Sequence, residues 1–181
     1  MSIGQRRETL DDLYNEPGKA ELIGGRIVRF MPTGYLPHRV AARIFRSLDD
    51  YATKVKIGEA FTDNMGFAIR EISSGRESFC PDAAFYDGKL PSNRMRFIEG
   101  PPTFAVEVRS ENDDETEMAD KRADYFEAGT KVVWDVDPEA ELVHKYLPSE
   151  PSKSITFSRG QIADAEPAVP GWKMDVDSIF S

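Results

Sequence analysis

The sequence predicts a single mixed α/β domain across residues 1–181, an α+β arrangement in which one mixed sheet is flanked by helices. Three observations lead there. Val40, Ala41, Ile44, Phe45, Leu48, Tyr51, Ala52 and Val55 recur at intervals of three and four, giving one helical face from Pro37 to about Lys54. After Gly58 the pattern changes to short β-type runs. Residues 103–136 then read strand, helix, strand, a right-handed crossover that leaves two neighbouring strands parallel.

The elements follow in order. The polar stretch through Tyr14 places Leu10 and Leu13 at helical spacing, and Asn15-Glu-Pro-Gly ends that short helix. Residues 20–30 hold two β-type runs around Gly24-Gly25, a pair suited to the positive φ of a two-residue hairpin turn. After the helix from Pro37, strands are expected at 60–62, 66–72, 79–86 and 103–108, with Ser73-Ser-Gly as a turn and 91–102 as a surface loop. Ser110 with Asp113, or Asn112 with Glu115, caps a second helix that runs to Ala128 and stops at Gly129. Residues 131–136 form an apolar strand, Asp137-Pro138-Glu-Ala a turn, and 142–147 the next strand. The tail reads as short strand pieces, turns and a last turn of helix near Ile179.

Composition narrows the function. At 40% hydrophobic and 30% charged residues, with 13 Gly and 12 Pro, the chain lies in the ordinary globular range. No run approaches the roughly 18 to 20 apolar residues that span a bilayer. The first residues lack the apolar core of a signal peptide, so a cytoplasmic protein with no membrane partner is expected. Lys and Arg number 23 and Asp and Glu 32, a formal charge of −9 that on average repels nucleic acid and anionic membranes. One cysteine, Cys80, excludes an internal disulfide and a multi-cysteine zinc site, and two histidines, His38 and His144, exclude a histidine-rich one. Any metal must be held by oxygen. A glycine-rich phosphate loop, His-Glu-x-x-His and Gly-x-Ser-x-Gly are all absent. The acids from Asp113 to Asp120 read as a solvated helix start, where the helix dipole favours negative charge. Met118 stands where a calcium loop beginning at Asp113 needs glycine. Cys80 reads as a small buried residue and His38 as the maker of a local hydrogen bond.

What remains is a set of polar residues on apolar strands. Alternation in 103–109 puts Phe104, Val106 and Val108 on one face and Ala105, Glu107 and Arg109 on the other. Glu107 therefore sits inside a core-type strand. Asp82 opens the run Ala83-Ala-Phe-Tyr after Pro81. Two semi-buried carboxylates need partners, because an unpaired buried charge is costly, and a divalent cation satisfies both. Lys121 follows Met118 by three and precedes Tyr125 by four, on the face expected to pack on the sheet. Its ammonium can stand near the two carboxylates. The same residue also reads as half of a structural Lys–Glu pair, or as a stem lying on apolar surface.

Pro81-Asp82, then Val106-Glu107-Val108 after a loop, then a helix with Lys121, Tyr125 and Ala128-Gly129, then Val133-Trp134-Asp-Val-Asp137-Pro138, resembles the Uma-type family of restriction endonucleases in the PD-(D/E)XK nuclease superfamily. The likeness runs through nearly the whole chain, including Glu21-Leu-Ile-Gly-Gly-Arg-Ile-Val, the His38 helix, Gly66-Phe67 and Gly171-Trp-Lys-Met. Its specificity lies in order and spacing. It implies a restriction endonuclease-like fold, a homodimer, and an active site with Asp82 and Glu107 as the acids and Lys121 as the catalytic lysine. In the wider superfamily the lysine lies two residues after the second acid, where this chain has Arg109. The resemblance implies that the lysine has moved to the helix. An aliphatic residue is more usual in the family at Arg109; replacing the lysine's charge, contacting a phosphate and neutralising Glu107 are the roles open to it. Glu21 matches an acidic position of the family's opening motif, which implies support of the metal through water, and it also reads as a strand-edge glutamate.

On that resemblance Asp82, Glu107 and the main-chain carbonyl of Val108 hold Mg²⁺ or Mn²⁺, Lys121 orients or deprotonates the attacking water, and a DNA phosphodiester is cleaved. A charge of −9 opposes DNA binding unless positive residues are concentrated locally. Arg39, Arg43 and Arg46, spaced four and three along the helix, and Arg94 with Arg96 before the Glu107 strand, are the candidate contacts. The stripe also reads as a solvated face on which Arg46 pairs with Asp50. The alternative function is a non-catalytic dimer that keeps the fold and uses these acids and bases as a structural ion network. A Glu107–Arg109 salt bridge sealed from solvent would mark that alternative.

Overall fold

Thr9 and Asp12 start the first helix by capping each other: the Asp12 amide donates to Thr9 Oγ1 and the Thr9 amide to Asp12 Oδ2. The computed structural model describes residues 6–111 and 113–181. Residues 1–5 and the candidate cap Asn112 lie outside the described residues. Helix α1 is Leu10–Tyr14, and strands β1 (Ala20–Ile23) and β2 (Arg26–Arg29) form the expected hairpin, with Gly24 and Gly25 at φ of +59° and +68°. Helix α2 (Tyr35–Val55) buries Val40, Ala41, Ile44, Leu48 and Ala52 along one face. Strands β3 (Glu59–Thr62), β4 (Phe67–Ala68), β5 (Ser78–Phe79), β6 (Ala83–Tyr86), β7 (Ile98–Glu99) and β8 (Phe104–Val108) precede helix α3 (Glu115–Ala128). The chain ends in β9 (Val132–Asp137), β10 (Leu142–Tyr146), β11 (Ile155–Phe157), β12 (Ile162–Asp164), β13 (Lys173–Asp175) and α4 (Val176–Phe180).

The central sheet has six strands in the order β11-β10-β9-β8-β6-β3. Its one parallel pair is β8 with β9, joined over the top by α3, as the crossover pattern predicts. Smaller sheets are β1-β2, β12-β13 and β5-β4-β7. The fold is thus mixed α+β, with helices on both faces of the sheet.

Four local expectations differ, and in the first the run 66–72 keeps only Phe67–Ala68 as a strand, while Ile69 and Ile72 make single backbone bonds to Glu77 and Arg76. The run 79–86 splits into β5 and β6 around Pro81, which has no amide proton to give a ladder. The loop 91–102 contains β7, two residues pairing parallel with β4, too short to carry any alternation. The cap of α3 is Asp114, whose Oδ1 accepts the Thr116 and Glu117 amides at 2.7 and 3.3 Å, while Asp113 accepts the Ser110 amide at 2.7 Å. Gly129 ends α3 at φ +112°, as its position in the sequence predicts.

Each face of the sheet has its own core. Under α2 lie Ala83, Phe85, Phe104, Val106, Val108, Val132, Trp134 and Val136, joined by Trp172 and Ile179 from the tail. Against Tyr125 of α3 lie Ala84, Ala105 and Val133 with Phe67, Phe79 and Ile98. Fully burying one such large side chain contributes about 1.5–3 kcal/mol. The two cores fix which way every strand residue points, and Glu107 and Asp135, directly opposite in register, extend the α3-side rows beyond the apolar residues. Among the described residues no helix is long and apolar enough to cross a membrane.

Candidate active site

Strand ends build the site. Ala83 pairs with Val106, and the Asp82 amide donates to the Val106 carbonyl at 3.1 Å. Backbone groups on a strand alternate in direction, so the Val108 amide and carbonyl point the same way as the Val106 carbonyl, toward β6. The ladder with β6 has ended by Val108. The Asp82 side chain takes the place of the missing strand, and its Oδ2 accepts the Val108 amide at 2.8 Å. Asp82 faces with Ala84 and Glu107 with Ala105, which puts both carboxylates on the α3 side of the sheet.

Helix α3 closes over Glu107 with two residues one turn apart. Tyr125 donates its hydroxyl proton to Glu107 Oε1 at 2.5 Å, and Lys121 Nζ lies 2.9 Å from the same oxygen. Among the described residues Glu107 Oε2 has no hydrogen-bond partner. Lys121 Nζ also lies 3.3 Å from Glu21 Oε1 and 5.6 Å from the centre of the Phe30 ring. Glu21 is wholly buried, so the strand-edge reading is replaced. Its Oε1 accepts the Cys80 amide at 2.9 Å and its Oε2 accepts from Arg76, which reaches on to Asp124 of α3 at 2.7 Å.

Arg76 and Asp124 lay outside the sequence reading, and so did two more participants, Lys19 and Asp63. Lys19, just before β1, places Nζ 2.7 Å from Asp82 Oδ1 and 2.8 Å from Asp63 Oδ1. Alternation could have found it, since Lys19 and Glu21 lie two apart and share a strand side. Asp63 is legible only once β3 is paired with β6: Thr62 opposes Ala83, which sets Asp63 beside Asp82.

Burial works to lower the pKa of Lys19, but the facing charges of Asp82 and Glu107 outweigh it and raise the net value. Lys121 is raised in the same way by Glu107 and Glu21 against its burial. Burial pushes Glu107 above the usual carboxylate range, with Lys121 opposing and Asp82 adding to the rise. Glu21 stays below that range despite its burial, because Lys121 and Arg76 flank it. The ion pairs form two sets, Lys19 with Asp63 and Asp82, and Arg76 and Lys121 with Glu21, Glu107 and Asp124, and each set carries one formal negative charge in excess.

That excess, with an unpartnered Glu107 oxygen, fits a divalent cation. Among the described residues no three His, Cys, Asp or Glu side chains converge as a metal-binding group. Two carboxylates and a main-chain carbonyl would make a sparse all-oxygen set, of the kind Mg²⁺ accepts while keeping several waters.

Arg109 is not part of this group. Its guanidinium binds both Asp135 oxygens at 2.7 and 2.6 Å and Glu115 at 2.6 Å. Asp135 is fully buried and also accepts from Arg122 at 2.8 Å, whose guanidinium stacks 4.2 Å from the Tyr146 ring centre. Of the roles open to Arg109, neutralising Glu107 is corrected. Asp135 stands directly opposite Glu107 on β9 and draws the guanidinium across the strands, so no sealed Glu107–Arg109 pair forms.

The arginine candidates lie elsewhere. Arg39, Arg43 and Arg46 stand on α2, which covers the sheet face opposite Glu107, and Arg43 donates to the Ile179 carbonyl at 3.1 Å. Arg96 stacks 4.2 Å from the Tyr14 ring centre and lies 3.6 Å from Asp11.

Comparison with known proteins agrees with this architecture. A family model, Uma2, described as "Putative restriction endonuclease", matches residues 7–177. A crystal structure described as "a putative nuclease belonging to DUF820" from Anabaena variabilis ATCC 29413 superposes with a TM-score of 0.74, covering 95% of this chain and 97% of that one at 19% identity. No curated protein matches the chain. Family and fold support a nuclease, and by the extent of the match, nearly the whole sequence, this chain belongs to the Uma2 family and carries a restriction endonuclease-like fold.

Proposed function

We propose that the protein is a divalent-metal-dependent endonuclease that hydrolyses DNA phosphodiester bonds at Asp82, Glu107 and Lys121. One observation supports the reading: the Asp82 carboxylate bonds to the amide of Val108, the residue next to Glu107 in the chain, and the Lys121 ammonium lies 2.9 Å from Glu107.

Asp82, Glu107 and the Val108 carbonyl would hold Mg²⁺ or Mn²⁺. When bound, such a cation supplies Lewis-acid chemistry, lowering the pKa of a water and offsetting the charge that builds on the phosphate. Tyr125 and Lys121 hold Glu107 by Oε1, so that Oε2 would be the oxygen free to serve as a ligand. Lys121, an ammonium between two carboxylates, has one N–H donor to spare beyond Glu107 and Glu21, and this donor orients the attacking water or contacts a phosphate oxygen. Glu21, gripped by Arg76 and the Cys80 amide, positions Lys121 and does not touch the substrate. Hydrolysis adds water across one P–O bond, leaving one end as a hydroxyl and the other as a phosphate.

The alternative, a non-catalytic protein with a structural ion network, is favoured by the Lys19 ammonium that already pairs with Asp82. Plasmid cleavage with Mg²⁺ or Mn²⁺ separates the two. Nicking by the wild type, lost in Asp82→Ala and Lys121→Ala, supports the enzyme. Equal activity in all three overturns the site, and no cleavage by folded wild type favours the network.

A further inference from the structure

Asp82 has one oxygen tied to the Val108 amide, and its other oxygen carries Lys19. A divalent cation bridging Asp82 and Glu107 would sit about 2.1 Å from a carboxylate oxygen. Lys19 Nζ is 2.7 Å from Asp82 Oδ1, so ion and ammonium would share one small carboxylate at a separation where like charges repel strongly. Lys19 has somewhere else to go. Asp63 Oδ1 lies 2.8 Å from the same ammonium, and with a side chain 31% exposed it can keep the lysine after Asp82 releases it. The Lys19 backbone is fixed, because its carbonyl accepts the Phe30 amide at 3.0 Å, so only side-chain rotation is needed.

We propose that Lys19 is an internal counter-cation on Asp82: it bridges Asp82 and Asp63 when no divalent ion is bound, yields the Asp82 oxygen on binding while keeping its Asp63 bond, and thereby sets the metal affinity of the site. This rests on the metal reading of Asp82 and Glu107. It fits the charge pattern, since Lys19 alone faces the two carboxylates of Asp82 and Asp63 and leaves one negative charge in excess.

Mn²⁺ binding to the full chain, followed by calorimetry and by the loss of the free-ion EPR signal, tests it without requiring activity. Lys19→Met removes the competitor and is expected to bind Mn²⁺ about tenfold more tightly or better. Asp63→Asn removes the lysine's second seat, leaves it on Asp82 and is expected to weaken binding by a few-fold. This second variant keeps the test decisive should Lys19→Met fold poorly. Asp82→Asn should abolish binding. If Asp82→Asn abolishes binding yet Lys19→Met binds no better than wild type and Asp63→Asn no worse, the role of Lys19 is overturned while the metal site stands. If neither wild type nor Lys19→Met binds Mn²⁺, both fall.

Discussion

The Asp82 carboxylate accepts the Val108 amide at 2.8 Å, so the first acid is tied to the backbone one residue beyond the second. The distance between the two acids is therefore set by strand pairing and not by flexible side chains. The same bond makes Asp82 a structural residue as well as a chemical one. Asp82→Asn, which can keep that acceptor, should stay folded by circular dichroism while losing cleavage by at least ~100-fold, the scale for removing a group that acts in the transition state. Retained cleavage in a folded Asp82→Asn protein would count against a metal role for this residue.

Glu21 is buried between Arg76 and Lys121. Glu21→Gln leaves Lys121 with Glu107 alone and Arg76 with Asp124 alone, and removing one partner of a buried pair costs about 3–5 kcal/mol. Urea unfolding should show a loss of that order, and a change within ~0.5 kcal/mol, typical of an inert surface site, would contradict the burial argument.

Arg109 bonds to Asp135 and Glu115 and makes no ion pair with Glu107. Arg109→Leu should lower the melting temperature, because buried Asp135 keeps only Arg122, yet leave cleavage per folded molecule within about threefold, less than the ~1.4 kcal/mol that corresponds to tenfold. A tenfold fall in cleavage with an unchanged melting temperature would return Arg109 to the site.

Burial pushes the Cys80 thiol up to about 12, and the residue is 3% exposed. Its thiolate fraction at pH 8 is negligible, and the thiolate is the reactive form. A disulfide-exchange reagent should label the native protein slowly and the urea-unfolded protein at once. Fast native labelling would mean that the Glu21–Cys80 contact opens readily.

Asp164 ties the tail to the sheet, accepting from Lys145 Nζ at 2.6 Å. Burial acts to raise its pKa, but the Lys145 ammonium and the Glu166 amide outweigh it and hold the carboxyl below its ordinary value of 3.8. A depressed folded-state pKa contributes stability that is present above the unfolded value and is lost as pH falls through the folded one. Stability measured by urea from pH 6 to pH 2 should therefore fall less steeply in Asp164→Asn than in wild type. Parallel curves would remove Asp164 from the acid response.

The sequence is informative wherever neighbours along the chain decide the outcome. The three-and-four spacing from Val40 to Val55 gives α2, alternation through Phe104 and Val106 turns Glu107 to the opposite face, and the four-residue step from Lys121 to Tyr125 brings both side chains to one carboxylate oxygen. The Glu107–Asp135 register, the wholly buried Glu21 and the Lys19–Asp82–Asp63 bridge were not legible. Lys19 and Asp82 are 63 positions apart, and periodicity tells which face a residue takes but not which residue of another strand will lie beside it.

By itself, then, the sequence determined the helices, the crossover and the faces that Glu107 and Lys121 take on their own elements, because these follow from local backbone geometry and apolar burial. Only the tertiary structure decided that Arg109 goes to Asp135 and that a lysine sits on the first acid. Charge pairing in a buried sheet depends on cross-strand register, and that register is set when the two cores pack against both of its faces.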